Sequence, residues 1–434
     1  MRPLTRIGTA LALCVLVLAP GSTRADVAPG ETIDKASWEK AKDLLPPSVL
    51  EWVKRGDYEI KVGALEFDPN WEPEFLAASE SNAGKYELDG EGGVIDPKTK
   101  KRPERIYGFP FPKISKDDAG AGVKVMWNKF HTDFKNTQVN FPFRIAWVGR
   151  SGFEREIVGD SWTYYYDGRM GGPVPNPDAT ELREMVRVLG PASMEGITVM
   201  TWRFLDNRAD QVWSYLPTIR RVRQLTAANR SDSFAGTDFV QDDRLLWFGK
   251  NQSFTWKLVG EQDVLVPAAN PKKPIKLVAG ERWEGGSEWL TTPEIQTPVW
   301  GYSQTGWKAA PWEPTKHVWV KRPVYLVEGN PRDSYYNYGK QVFYIDRVTF
   351  FPYYKVIYNR AGEYWKTIHS DLAPAWNEDG SHRFGILSLQ VVKDDKTDHS
   401  CVGEVGSAQS VFRFNTPSVQ PDMFTVGKLL RKGK

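Results

Sequence analysis

The sequence predicts a β-rich α+β fold built on a large antiparallel meander. Short alternating or β-rich runs fill most of the chain, and Gly, Asn, Asp and Pro divide them at hairpin spacing rather than βαβ spacing. Convincing helical periodicity is confined to one early segment. Aromatic side chains are 13% of the 434 residues, with 18 Trp, 21 Phe and 17 Tyr, which suits wide surfaces covered by sheet packing or by a ligand.

Residues 1–25 carry Arg2, Arg6 and Arg24, no acid, and an apolar run from Leu11 to Ala19, the pattern of a secretory signal peptide cleaved after Ala25. The bulky Leu13 before Cys14 makes a poor lipidation site. In "TIDKASWEKAKDLLPPSVLEWVKRG", Ile33, Trp38, Ala41, Leu44 and Leu45 recur near helical spacing, Pro46-Pro47 interrupts, Thr32 or Asp34 caps and Gly56 stops. The expectation is a helical hairpin or bent helix over Ile33 to Arg55, within an N-terminal segment 26–60 that packs on a β domain of residues 61–434. "DATELREMVRVL", Asp178 to Leu189, reads as a second helix stopped by Gly190-Pro191.

Strands are expected in "KYELDGEGGVID", "FRIAWVG", "SWTYYYDGRMGG", "ITVMTWRFLD", "FTWKLVGEQDVLVP", "HVWVKRPVYLVEGNP" and "KQVFYIDRVTFFPYYKVIYNRAGEYWKTI", with "NRAG" as a tight turn. Loops are expected at Glu66 to Ser79, Pro97 to Lys116, Gly171 to Pro177 and Thr291 to Thr315. The last is long enough to act as a cover or flap.

Without the three signal arginines the chain holds 54 basic and 54 acidic residues, a balance that argues against a dedicated nucleic-acid binder. Cys401 is then the only thiol, so no intramolecular disulfide can staple the fold. No later segment approaches the ~18 consecutive apolar residues of a membrane-spanning helix.

Catalytic signatures are sparse. The pairs Asp117-Asp118, Asp242-Asp243 and Asp394-Asp395 read as solvated turn residues, since strand neighbours point to opposite faces and make no dyad. Among His131, His317, His369, His382 and His399 there is no metal spacing; His399 and Cys401 share a strand face, but two ligands make no site. "GAGV" at Gly120 to Val123 reads as a bare turn, and no nucleophile elbow, phosphate loop or dinucleotide fingerprint is present. The candidates that remain are aromatic. Trp283, Trp289, Trp300, Trp307 and Trp312 lie in a Gly/Pro/Thr-rich stretch where burial by the chain's own core is least assured.

The segment "WSYLPTIRRVRQL" places Trp213 and Tyr215 before Pro217 and then Arg220, Arg221 and Arg223. Alternation puts Ile219, Arg221, Arg223 and Leu225 on one face and Arg220, Val222 and Gln224 on the other, a poor phosphate patch. With Asp232, Asp238, Asp242 and Asp243 downstream, at least one of Arg221 and Arg223 is expected to bond a carboxylate of this segment, Asp232 or Asp238 first, which leaves a rim role toward an anionic headgroup only to an arginine that stays unpaired.

The order "WSYLP", "RRVRQ", "NRSDSFAGTDF", "WKLVG", "VLVP", "YGKQVFYID", "AGEYWK", with "FPF" at Phe109 to Phe111 and "MWN" at Met126 to Asn128, resembles a secreted bacterial family of unknown function that is similar to outer-membrane lipoprotein-sorting proteins of the LolA/LolB type. The resemblance covers most of the chain after residue 25 and includes Pro217, Asp232, Gly236 and Asp238 as structural motif residues. It implies a strongly curved antiparallel sheet, a half-barrel closed on its concave side by helices around an apolar cavity. It further implies a periplasmic carrier of a lipid, lipoprotein acyl chain or hydrophobic metabolite, working without cofactor, metal or catalytic residue. Its partners would be an inner-membrane export protein and the outer membrane. Trp213, Tyr215, Trp256, Trp283, Trp289, Trp300 and Trp307, with Arg220, Arg221 and Arg223, are the expected ligand contacts. Two alternatives stand beside this one: a carbohydrate-binding or carbohydrate-active β protein using exposed tryptophans, and an outer-membrane assembly partner without a small ligand.

Overall fold

The computed structural model describes residues 27–170, 172–292, 298–404 and 411–432; the signal segment, Cys14, Gly171 and residues 293–297 of the long loop lie outside the described residues. The principal strands are β1 (Val139–Gly149), β2 (Gly152–Tyr165), β3 (Thr180–Gly190), β4 (Thr198–Phe204), β5 (Gln211–Leu216), β6 (Arg221–Leu225), β7 (Phe254–Ala268), β8 (Val318–Pro331), β9 (Gln341–Asp346), β10 (Pro352–Tyr358), β11 (Tyr364–Ser370), β12 (Leu389–Asp394) and β13 (His399–Glu404). They pair antiparallel in the order β6-β5-β4-β3-β2-β1-β13-β12-β11-β10-β9-β8-β7. Most neighbours are sequential hairpin partners; the exceptions are β1 with β13 and β7 with β8, far apart in sequence, and β11 with β12, between which the short strands Ala373–Trp376 and Arg383–Ile386 intervene.

Burial follows position in this sheet. Central β10 is covered on both faces, and six of its seven residues are buried. β7 alternates at its start, Phe254 and Trp256 in, Thr255 and Lys257 out, and ends in the buried run Val264 to Ala268.

Among the described residues four α-helices decorate the sheet: α1 (Pro47–Arg55), α2 (Pro73–Asn82), α3 (Ala121–Phe130) and α4 (Val426–Lys432). Of the expected helix over Ile33 to Arg55 only the second half is α-helical; Thr32–Ile33 is a short strand and Trp38–Ala41 a single 3-10 turn. The side chain of Asp34 holds the backbone N–H groups of Ala36 and Ser37, closing a local turn where a helix would continue. After Pro46, α1 begins with Pro47 at its first position and ends on Gly56 at φ 79°, as anticipated. Its buried Val49, Leu50, Trp52 and Val53 face the core, and Trp52 Nε1 donates to Asp395 at 2.9 Å.

Three further expectations are corrected. Asp178 to Leu189 is not a helix: Thr180–Gly190 is strand β3, paired on both sides. Leu182, Met185, Val186 and Leu189 fit a helical stripe, but Leu182, Glu184, Val186 and Val188 equally fit period two, and two partner strands decide between them. "GAGV" is not a bare turn but the start of α3, which lies on β7. A Cβ on Gly122 would sit 2.7 to 2.8 Å from the Lys257 backbone, so this glycine is there to let helix and strand touch. Helix α2, too, forms partly inside the segment expected as a loop from Glu66 to Ser79.

Candidate functional site

Strands β1 to β6 share one face with a continuous cross-strand row: Phe141, Ser161, Val186, Val199, Ser214 and Arg223 are successive partners. The first four line a cavity of about 130 Å³. Phe134, Phe143, Ile145 and Phe412 add to its floor and side, and Phe141 stacks on Phe412 at 5.3 Å. At Gly159 a Cβ would lie 2.4 Å from the Phe143 ring, so the missing side chain gives that ring its place.

The roof is the segment after β6. Ser233 and Val240 form an antiparallel bridge, Phe234 N–H donates to Phe239 O at 2.8 Å, and Gly236 turns the tip at φ 80°. Phe234, Phe239, Val240 and Leu245 hang from this loop into the cavity. Trp147 Nε1 pins the tip by donating to Gly236 O at 3.0 Å. The roof's base is anchored by buried charge. Arg230 Nε donates to Asp242 at 2.6 Å, Lys355 Nζ to Asp243 at 2.7 Å, and Tyr336 and Tyr338 each donate a hydroxyl hydrogen to one of these two carboxylates at 2.9 Å. Asp242 and Asp243 are 3% and 0% exposed, so the expectation of a solvated turn pair is corrected: the 3-10 turn that holds them is covered from both sides. Two buried carboxylates are tolerable here because each has its own cation and further donors.

Among the polar groups that line the cavity, with Arg144, Glu184, Gln241, Gln390 and Glu404, is Arg244. It ion-pairs with Glu184, donates to the hydroxyls of Ser161 at 3.2 Å and Thr163 at 3.0 Å, and lies 4.0 Å over the Phe248 ring. Burial pushes the guanidinium down to about 10, opposed by the nearby Tyr165 and Asp133. At the other wall Arg144 donates to Glu404 at 2.9 Å, and burial raises the Glu404 carboxyl.

None of the expected aromatic contacts lines this cavity. Trp213 and Tyr215 lie on the opposite face of β5, in a layer with Met185, Met200 and helix α4; Trp213 meets Trp202 edge-on at 5.5 Å. Trp256 is buried, stacked on Phe254 and bonded to Asn251 O. Trp300 is buried against Glu404, and Trp312 is fully buried. Trp283 donates to Asn415 O, Trp289 packs on His382 at 4.4 Å, and Trp307 is half-buried. The structure thus disperses the tryptophans instead of gathering them.

Arg220, Arg221 and Arg223 are exposed, and among the described residues none of them has a carboxylate partner. The expected bond to Asp232 or Asp238 is therefore corrected: Asp232 accepts from Asn229 and Asn337, and Asp238 faces His399. The arginines of the roof segment that do meet carboxylates are Arg230, with Asp242, and Arg244, with Glu184. Pro217 sits in the turn after β5.

The phenylalanine lining was written in the sequence as alternation, Phe141, Phe143 and Ile145 in "NFPFRIAWVG" and Phe234 and Phe239 bracketing "SFAGTDF". Nothing local marked Arg244 as the residue that would reach Glu184 from the far side of the cavity.

The family DUF1329, described as a protein of unknown function, matches residues 32–430. No curated protein sequence matches the chain. Among solved structures, a putative outer membrane lipoprotein-sorting protein domain from Vibrio parahaemolyticus is similar at 15% identity and TM-score 0.49, over 72% of this chain and 100% of that one. A DUF1329 family protein from Desulfovibrio piger is similar at 12% identity and TM-score 0.46, over 70% and 96%. A LolA superfamily protein from Nitrosomonas europaea is similar at 10% identity and TM-score 0.42, over 70% and 96%.

Proposed function

We infer that this chain, which belongs to the DUF1329 family of proteins of unknown function, is a binding or carrier protein for an amphiphile with an apolar tail, a lipid, lipoprotein acyl chain or hydrophobic metabolite. The observation that carries this reading is the phenylalanine- and valine-lined cavity under the 233–245 roof, whose charged wall groups are paired, Arg244 with Glu184 and Arg144 with Glu404. A pocket whose charged groups are paired with one another leaves its apolar lining to select the contents. In this reading the sheet is an open half-barrel around the cavity, the segment 26–60 belongs to the same structural unit, and no bond is made or broken.

Magnitude limits what the cavity holds. At about 130 Å³ it compares with the ~150 Å³ apolar cavity that accepts one benzene. Five or so methylenes at ~0.8 kcal/mol each give about 4 kcal/mol, a millimolar dissociation constant. A whole acyl chain at micromolar affinity therefore requires the roof to rise.

The headgroup falls to β6. Arg223 ends the row whose inner members line the cavity, two strands beyond Val199, about 10 Å by strand spacing. Arg221 shares that face two residues away. Both are exposed, so a tail under the roof leaves an anionic head within guanidinium reach. Among the described residues no helix is long and apolar enough to cross a membrane. With residues 1–25 as a cleaved signal, the carrier works in the periplasm, between an inner-membrane exporter and the outer membrane.

Native mass spectrometry of the protein purified from its native host tests this. Co-purifying acyl species, lost on organic extraction, are expected. A protein that emerges empty and binds no added fatty acid refutes the carrier reading and favours an assembly role without a small ligand.

A further inference from the structure

Among the described residues, one group of His, Cys and Asp side chains beyond the cavity brings unlike donors together. His399 and Cys401 project from the same face of β13, and the roof tip delivers Asp238 to them. One ligand atom from each, an imidazole nitrogen, a thiol sulfur and a carboxylate oxygen, lie within 4.8 Å of one another. Asp238 Oδ2 is 2.7 Å from His399 Nδ1, and Asp238 N–H donates to Cys401 Sγ at 3.3 Å. The opposite ring nitrogen, His399 Nε2, faces Glu154 at 3.4 Å from strand β2.

We propose that Asp238, His399 and Cys401 form a three-ligand site for a divalent cation of borderline softness, with Zn²⁺ as the fitting ion. Sulfur, nitrogen and oxygen in one set suit zinc, whose bonds to them run about 2.0 to 2.3 Å; around a tetrahedral ion such ligands sit roughly 3.3 to 3.7 Å apart. Reaching that geometry requires the Asp238 carboxylate and His399 ring to part by about half an ångström and the sulfur to approach the ion. The Glu154 contact gives the imidazole the outer partner that metal-bound histidines characteristically have: Nε2–H donates to a carboxylate while Nδ1 is left for the ion. Burial and the Asp238 carboxylate push the Cys401 thiol well up, with the backbone N–H opposing them, so the sulfur ligates only as the ion displaces its proton. Asp238 and His399 are 18% and 21% exposed in their side chains, while Cys401 is buried. The ion therefore enters from the carboxylate and imidazole side, and a water completes its shell.

The site's position has a consequence. Asp238 precedes Phe239, which hangs into the cavity, and Gly403, two residues after Cys401, lines it. A bound ion staples the roof tip to β13. This inference does not rest on the carrier reading, because metal binding stands or falls without any apolar ligand.

The full chain, stripped with chelator, is titrated with Co²⁺ and with Zn²⁺. One equivalent of Co²⁺ is expected to produce a thiolate-to-cobalt charge-transfer band in the near ultraviolet, lost in Cys401→Ser and displaced by Zn²⁺. Asp238→Asn, which retains the sulfur and the fold's buried core, is expected to weaken Zn²⁺ binding at least tenfold in competition with a chromophoric chelator. A spectrum without the charge-transfer band, or Zn²⁺ affinity unchanged in both Cys401→Ser and Asp238→Asn, overturns the assignment. Should Cys401→Ser fail to fold, the band in the wild-type protein and the Asp238→Asn affinity decide.

Discussion

Replacing Val199 by Phe discriminates a true ligand cavity from an incidental gap. Val199 stands in the middle of the floor row, between Val186 and Ser214, with its side chain toward the void. A larger side chain in a tightly packed core costs about 1 to 3 kcal/mol. Here the ring has an empty volume to enter. If it fills about half of the roughly 130 Å³, the ~24 cal/mol per Å³ associated with cavity volume gives a stabilisation of about 1.5 kcal/mol. The same ring removes the space for about half of the ligand's buried carbons, some 2 kcal/mol of binding at ~0.8 kcal/mol per methylene, or thirtyfold in affinity. Urea unfolding measures the first quantity and displacement of a fluorescent fatty acid the second. Expected together are a raised urea midpoint with unchanged m-value and a weakened probe. A variant more stable than wild type that binds the probe with undiminished affinity refutes the assignment of this cavity as the binding site, and a variant destabilised by several kcal/mol shows that the volume is not available.

Three further outcomes follow from the same geometry. Lys355→Met leaves the fully buried Asp243 with Tyr338 and the Val240 N–H but no cation, and is expected to destabilise by about 3 to 5 kcal/mol in urea; the double variant Lys355→Met with Asp243→Leu is expected to recover most of that loss. Burial raises the Glu313 carboxyl from 4.5 to about 8, so the folded protein holds a proton there that the unfolded chain releases. The contribution of this group to stability is full below pH 4.5 and is lost as pH rises to about 8, so Glu313→Gln is expected to gain stability relative to wild type across that window, with a pH-independent difference counting against it. Changing Arg221 and Arg223 together to Gln is expected to leave stability within about 0.5 kcal/mol while weakening binding of an anionic amphiphile and flattening its salt dependence; equal loss with an uncharged amphiphile would argue against a headgroup role.

The antiparallel character of the fold was legible because hairpin strands announce themselves locally, by alternation and by turn residues between them. What failed to read locally was decided by partners remote in sequence. Thr180–Gly190 carries both periodicities, and its strand identity comes from β2 and β4 on either side. Gly120 and Gly122 look like turn residues, yet Gly122 is needed inside a helix because the Lys257 backbone touches it there. Asp242 and Asp243 look like solvent-facing charges until Arg230 and Lys355 arrive to bury them. The tryptophans drew notice by number, but a tryptophan's indole N–H and its ring are satisfied as well by the protein's own carbonyls and rings, as at Trp256 and Trp283, as by a ligand. Asp238 was grouped with the arginines by nearness in sequence, while its actual partners, His399 and Cys401, lie some 160 residues on.

The roof segment joins the two sites. Its base at Asp242 and Asp243 is tied by ion pairs and tyrosine hydroxyls that are buried and costly to break, each pair being worth several kcal/mol to the fold if one partner is removed. Its tip is held by separate hydrogen bonds, Trp147 to Gly236, Asp238 with His399 and Cys401, and Lys366 to Asp238 O, contacts at the level of about 1 to 3 kcal/mol each. A tail longer than the resting cavity accepts must displace the weaker end first, so opening is expected to pivot on the Asp242–Asp243 turn and to release Phe234 and Phe239 from above the floor. An ion shared by Asp238, His399 and Cys401 strengthens only the tip. It therefore opposes opening without altering the floor, and the metal-loaded protein should exchange a bound amphiphile more slowly than the metal-free protein while short apolar ligands that fit the resting cavity bind both forms alike.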